Sequence, residues 1–267
     1  RIIVVGAGTS IRLCVQNLIE LQTHGWPASR TDYIVAGGLD ALTKSIEAGE
    51  DDRAYPVAEV GRLGITEKDI LIGVSASGRT PVVEEALREA RKRGALTIAI
   101  ANKEPLVAAG HLLKDCALKS GAVLLPVDSE HNAVFQCFEE KNKGQVEKIT
   151  LTASGGPFRE WSVEDMKKAT PEEAVAHPTW SMGQKISVDS ATLMNKTLEV
   201  IEAAIFFDVD PSAIEVVIHP QSLIHAFVTY CDGSVLTPFG KADMKVPILH
   251  TMSYPDRYKA CTEALDL

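Results

Sequence analysis

No run in this sequence approaches the roughly 18 consecutive apolar residues that a membrane-spanning helix needs, and no charged-then-apolar leader opens it. Cysteine is sparse. Cys14, Cys116, Cys137, Cys231 and Cys261 stand far apart without a C-x-x-C pair, a pattern that predicts reduced thiols in a cytoplasmic compartment and no disulfide framework. Basic residues are in deficit, 27 against 36 acidic ones, and the net charge of −9 provides no positive field for nucleic acid or anionic lipid. Internal repeats and low-complexity linkers are missing too, as is an initiator Met before the apolar run that begins at Arg1, which implies native sequence upstream.

What remains is an ordinary globular composition, 45% apolar and 24% charged, over 267 residues, enough for one large or two ordinary domains. A small-molecule ligand is the partner this balance favours.

Residues 1–100 read as strand–helix repeats. Ile2 to Val5, Tyr33 to Ala36, Ile70 to Val74 and Leu96 to Ala101 are β-rich runs of buried-strand length, separated by polar or helix-period segments, and predict a parallel sheet covered by helices. The clearest helix is Pro81 to Arg93, with Thr80 positioned to cap it, acids leading bases along it and Gly94 ending it. Beyond residue 101 the character changes to α+β, and nearly all the excess negative charge lies there, as suits a metal site. The elements predicted are a helix at Leu106 to Leu113, a strand Ala122 to Pro126, a helix through His131 to Glu140, and a strand Lys148 to Thr152. A capped helix opening at Thr170, a long helix Ala191 to Phe206, a strand Glu215 to Ile218 and a strand pair around Asp232-Gly233 complete the list.

Two loops in the first part could cradle a phosphate. Gly6-Ala7-Gly8-Thr9-Ser10 lies between a strand and a helix, although Ile11 replaces the last glycine of G-x-G-x-x-G and a plain tight turn is the alternative. Ser75-Ala76-Ser77-Gly78-Arg79-Thr80 offers three hydroxyls around one glycine. In the second part, Asp128-Ser129-Glu130 follows a predicted strand end, where α/β sheets present catalytic groups, and carboxylates two apart can face one hard cation. Asn195, Lys196 and Glu199 share a helix face; with Ser190 they supply what holding a phosphorylated polyol beside a metal requires. The loop His177 to Gly183, with Trp180 and Met182 between Pro and Gly, suits a lid or a permanently packed loop. Thr152 to Phe158, with its Gly155-Gly156 pair, is another oxyanion cradle, and His219 is either a ligand or a structural hydrogen-bonding group.

The stretches Val5 to Ser10, Ala36-Gly37-Gly38, Glu47 to Asp52 and Ala76 to Pro81 resemble the sugar isomerase (SIS) domain, in particular that of N-acetylmuramic acid 6-phosphate etherases. By that resemblance Glu20 and Glu50 stand where the etherases place acid–base glutamates; the bland alternative is a pair of solvated helix-end carboxylates. From about Ala99 to Leu267 the sequence resembles the 1-deoxy-D-xylulose 5-phosphate reductoisomerases. The carriers are Ala101 to Glu104, Pro126 to Asn132, Thr152 to Phe158, His177 to Gly183, Lys185 to Glu199 and Ile218 to Ser222. The resemblance implies a divalent metal, Mg²⁺ or Mn²⁺, on Asp128, Glu130 and Glu199. It implies substrate contacts from Lys103, Ser129, Ser154, His177, Ser190, Asn195 and Lys196, with Lys103, Glu130 and His177 catalytic. NADPH would meet Gly6, Gly8, Ser10, Asn102, Glu104 and Gly183. The family's opening cofactor loop is altered here to Gly6 through Arg12, with Arg12 adding bulk at the helix entrance, and the family's C-terminal helical domain is not seen after Leu267.

The expected architecture is therefore α/β, a Rossmann-like, SIS-like parallel sheet over residues 1–100 followed by an α+β catalytic domain over 101–267. The expected activity is metal- and NADPH-dependent rearrangement and reduction of a sugar phosphate in a cytoplasmic homodimer. The rivals are an SIS-type phosphosugar lyase and a non-catalytic sugar-phosphate-binding chimera.

Overall fold

The computed structural model describes residues 1–44, 46, 48–176, 183–259, 262 and 265–266. The chain divides into two compact units, Arg1–Pro105 and Leu106–Leu267.

The first unit alternates β1 (Ile2–Gly6), α1 (Gly8–Thr23), β2 (Thr31–Val35), α2 (Ala54–Arg62), β3 (Ile70–Val74), α3 (Pro81–Lys92) and β4 (Leu96–Ile100). All four strands are parallel, in the order β2-β1-β3-β4. Ile3, Val5, Ile34 and Leu71 are fully buried, as strands covered on both faces require. Proline at the first position of α3, Glu84 in its first turn and Arg91 and Lys92 in its last fit the helix dipole. Thr80 departs from its expected capping role. Its hydroxyl lies 2.8 Å from the buried Ser75 hydroxyl and caps nothing, while its carbonyl accepts from Val83 and Glu84.

The second unit holds α4 (Glu104–Ser120), α5 (Ser129–Cys137), β5 (Val146–Ala153), α6 (Val163–Met166), α7 (Pro171–Val175), α8 (Gln184–Ala191), α9 (Met194–Phe207), β6 (Ile214–Ile218), β7 (Ala226–Tyr230), β8 (Val235–Leu236) and α10 (Lys245–Ser253). Its sheet runs β6-β5-β7-β8, with β5 parallel to β6 and antiparallel to β7. Central β5 is buried from Ile149 to Ala153, and with α5 and α9 it encloses Val134, Ala203, Phe207 and Val228. Thr170 and Glu173 form the expected capping box on α7.

Three expectations need correction. Residues 122–127 belong to no strand: the Pro126 carbonyl accepts from the side chains of Asn132 and Thr251, and among the described residues no strand pairs with this segment. The helix expected from Leu106 runs from Glu104 to Ser120 through a kink at Ala109. The long helix expected from Ala191 is two helices, because Leu193 adopts a left-handed conformation (φ 58°) between α8 and α9. No described helix is long and apolar enough to cross a membrane.

Candidate metal and substrate site

Asp128 directly precedes α5, and Ser129 and Glu130 form its first turn, where the helix dipole favours carboxylates. Glu199 projects from α9, one turn beyond Asn195 and Lys196. This placement brings Asp128, Glu130 and Glu199 together, one oxygen of each within 4.8 Å of the others. Oxygens around one octahedral cation with bonds of about 2.1 Å stand about 3.0 to 4.2 Å apart, so these three carboxylates need at most a small inward shift to share one ion.

Lys196 threads this cluster. Its ammonium donates to Glu130 Oε1 at 2.9 Å and to Glu199 Oε2, while Asn195 donates to Glu199 Oε1 and Ser129 to Glu130 Oε2 at 2.7 Å. Lys196 and Glu199 are buried, at 6% and 1% exposure, which disposes of a merely solvated helix face. Burial opposes the charged form of Lys196, but Glu130 and Glu199 outweigh it and raise the pKa.

Below the cluster lies a layer that spacing alone did not reveal. His131 is fully buried; its Nε2 lies 2.9 Å from the Glu199 carbonyl oxygen and 3.6 Å from Glu202, and its Nδ1 3.7 Å from Asp128. Burial pushes this imidazole toward neutrality, yet Asp128, Glu202 and Glu199 prevail and raise its pKa to about 9. The signal for Glu202 was available, since an acid in so apolar a helix needs a partner. Burial first of all lowers the pKa of His225, with Glu130 opposing and Lys196 adding to the effect. Summed over these side chains, four carboxylates (Asp128, Glu130, Glu199, Glu202) face two cations (Lys196, His131). The all-oxygen donor set of Asp128, Glu130 and Glu199 fits one hard divalent metal.

Ser154 and Ser190 are half-buried. Gly156 (φ 63°) lets the loop after Ser154 settle on the end of α8: a Cβ there would stand 2.8 Å from the Ser190 carbonyl oxygen. Gly183 precedes α8 and is exposed, whereas His177 and the expected lid through Met182 lie outside the described residues. His219 resolves to a structural role, its Nε2 accepting from the Leu223 N–H at 3.2 Å.

In the first unit, Gly6, Gly8 and Ser10 form the β1–α1 turn. Ala7 gives no side-chain cap to α1, Gly8 has φ 56° with open space around it, and the N–H groups of the first turn suit an anion such as a diphosphate. Arg12 does not crowd the entrance as expected; its guanidinium donates to the carbonyls of Ala41 and Lys44. Asn102, Lys103 and Glu104 follow β4, with Asn102 donating to the Ala76 carbonyl. Glu20 and Glu50 are exposed, so the bland alternative describes them.

Comparison with known proteins agrees with this geometry. Residues 124–207 match the 1-deoxy-D-xylulose 5-phosphate reductoisomerase C-terminal domain, and residues 1–91 match the glucokinase regulatory protein N-terminal SIS domain. A solved 1-deoxy-D-xylulose 5-phosphate reductoisomerase from Zymomonas mobilis in complex with NADPH superposes with TM-score 0.70 and 34% identity, covering 100% of this chain and 74% of that one. The chain belongs to the 1-deoxy-D-xylulose 5-phosphate reductoisomerase family. A further solved member, in complex with NADPH, fosmidomycin and magnesium, superposes with TM-score 0.65 at 30% identity, covering 100% of this chain and 73% of that one. The reductoisomerase of Aromatoleum aromaticum is 45% identical over 95% of this chain and 64% of its own length. That of Desulfitobacterium hafniense is 54% identical over 88% of this chain and 56% of its own. The chain thus spans about three fifths of the curated reductoisomerases it matches.

Proposed function

We propose that this chain carries out the metal- and NADPH-dependent conversion of 1-deoxy-D-xylulose 5-phosphate to 2-C-methyl-D-erythritol 4-phosphate. The observation that carries the reading is the convergence of Asp128, Glu130 and Glu199, with an oxygen of each within 4.8 Å of the others, around Lys196. When bound, a divalent cation supplies Lewis-acid polarisation of the substrate oxygens and NADPH supplies the hydride.

The side chains do the holding and orienting. Asp128, Glu130 and Glu199 are the metal ligands in this reading, and Ser129 and Asn195 fix two of those carboxylates by hydrogen bonds. Lys196, Asn195, Ser190 and Ser154 hold the substrate, Lys196 neutralising anionic oxygen from a buried position. Lys103, Glu130 and His177 make the catalytic contacts, and the lid of residues 177–182 excludes water; for His177 and that lid the support is the sequence alone. Gly6, Gly8 and Ser10 receive the diphosphate of NADPH, with Asn102, Glu104 and Gly183 as its further contacts. The same reading carries a homodimer in the cytoplasm, the latter supported by the free thiols of Cys14, Cys116, Cys137 and Cys231.

One observation favours a second reading for the first unit. The SIS match and the Ser75, Ser77 and Thr80 hydroxyls suit a sugar phosphate. The deciding assay is NADPH oxidation. Dependence on both the deoxyxylulose phosphate and Mg²⁺ or Mn²⁺ supports the reductoisomerase, with Asp128→Asn weakening metal affinity in an intact fold. Metal-independent lactate release from N-acetylmuramic acid 6-phosphate would replace it with the lyase.

A further inference from the structure

The carboxylates of the proposed metal site come from two separate elements: Asp128 and Glu130 lie at the start of α5, and Glu199 lies within α9. A site whose ligands must meet within ångströms needs something that sets one helix against the other. Apolar packing fixes helix positions with some latitude, whereas a buried directional bond fixes them closely.

His131 is placed to do this. It occupies the first turn of α5, is fully buried, and reaches α9 through Nε2 at 2.9 Å from the Glu199 backbone oxygen. A carbonyl oxygen only accepts, so Nε2 carries the hydrogen in that bond. The same nitrogen faces Glu202 Oε2 at 3.6 Å, and Nδ1 faces Asp128 Oδ1 at 3.7 Å. One imidazole therefore touches the backbone of one proposed metal ligand and the side chain of another. Glu202, at 6% exposure and nearly one turn beyond Glu199, backs it from below. His131 and Glu202 share Asp128 with the proposed metal set: their ligand atoms form a second group within 4.8 Å of one another, but one of its members, His131, already bonds the Glu199 carbonyl, whereas Asp128, Glu130 and Glu199 offer oxygens alone.

We infer that His131 and Glu202 are positioning residues, a buried couple that locks α5 to α9 so that Asp128 and Glu199 present their oxygens to one cation. This inference rests on the proposed metal site and specifies what holds it in shape. Outer contacts of this kind typically contribute 10–100-fold to metal affinity.

The test is Mn²⁺ titration of the full chain, followed by the electron paramagnetic resonance of free Mn²⁺, together with urea denaturation. His131→Gln and Glu202→Gln are each expected to raise the Mn²⁺ dissociation constant about 10-fold or more. The double variant is expected to lose no more than the weaker-binding single variant, because both act through one couple. If His131→Gln fails to fold, Glu202→Gln, which keeps volume and one oxygen acceptor, carries the test. Folded variants with Mn²⁺ affinity within about 2-fold of the parent, whatever happens to their denaturation midpoints, would overturn the positioning role. Losses that simply add in the double variant would overturn the couple. A parent chain that binds no Mn²⁺ would instead overturn the metal site itself, and with it this inference.

Discussion

Lys196 Nζ lies 2.9 Å from Glu130 Oε1 and also donates to Glu199, so an ammonium holds the centre of the proposed metal cradle. Lys196→Met would remove the ammonium that stands between those two carboxylates. Removing one partner of a buried ion pair costs about 3–5 kcal/mol, and a divalent cation should recover much of it by binding only the folded state. Urea denaturation with and without Mn²⁺ checks this: the variant should be less stable than the parent without metal and gain more from adding it. Equal stability of the two metal-free proteins would contradict the prediction.

The β1–α1 turn makes a prediction about NADPH. Gly8 has φ 56°, which a β-branched side chain scarcely tolerates, so Gly8→Val should distort the turn and abolish NADPH binding. Ser77→Ala, in the other loop, should leave NADPH binding unchanged. Calorimetric titration of both variants checks the pair, and the opposite pattern would move the cofactor to the Ser75–Thr80 loop.

Asp69 ties the start of β1 to the turn before β3. Its carboxylate accepts from Arg1 at 2.9 and 3.1 Å and from the Thr66 N–H at 2.9 Å, and Arg1 first of all holds its pKa well below the usual carboxylate range, against the opposing effect of burial. A pKa depressed in the folded state contributes stability above the unfolded value near pH 4, and that contribution declines as pH falls toward the folded value. Asp69→Asn should therefore cost about 1–2 kcal/mol at pH 7, at the low end because Arg1 is partly exposed. Denaturation from pH 7 to pH 2.5 should show this difference flat down to about pH 5 and shrinking below about pH 4.

Tyr230 joins the end of α5 to β7. Its hydroxyl accepts from the Glu139 N–H and donates to the Cys137 carbonyl, both at 2.9 Å. Tyr230→Phe leaves both backbone groups without that partner and should cost about 1–3 kcal/mol. Guanidinium denaturation measures it, and hydrogen exchange at Glu139 should speed up with it.

Much of the first unit was legible because parallel strands between helices are written as short β-branched runs: Ile70 to Val74 is β3, residue for residue. The same signal misled at 122–126, since an apolar run of strand length states burial or extension but not whether a partner strand lies alongside. The break at Leu193 had no glycine or proline to announce it. The carboxylate cluster was readable from D-x-E and from the helical spacing of Asn195, Lys196 and Glu199. His131 and Glu202 were harder, because their importance lies in contacts between α5 and α9 that no local spacing encodes.

Gly156 rests so closely on the Ser190 carbonyl that a single methyl would not fit between them. The loop bearing Ser154 and the helix end bearing Ser190 are therefore one packed joint with two sequence addresses. Anyone grafting either segment from a relative would have to transplant both, and a lineage altering one would find its next viable changes in the other.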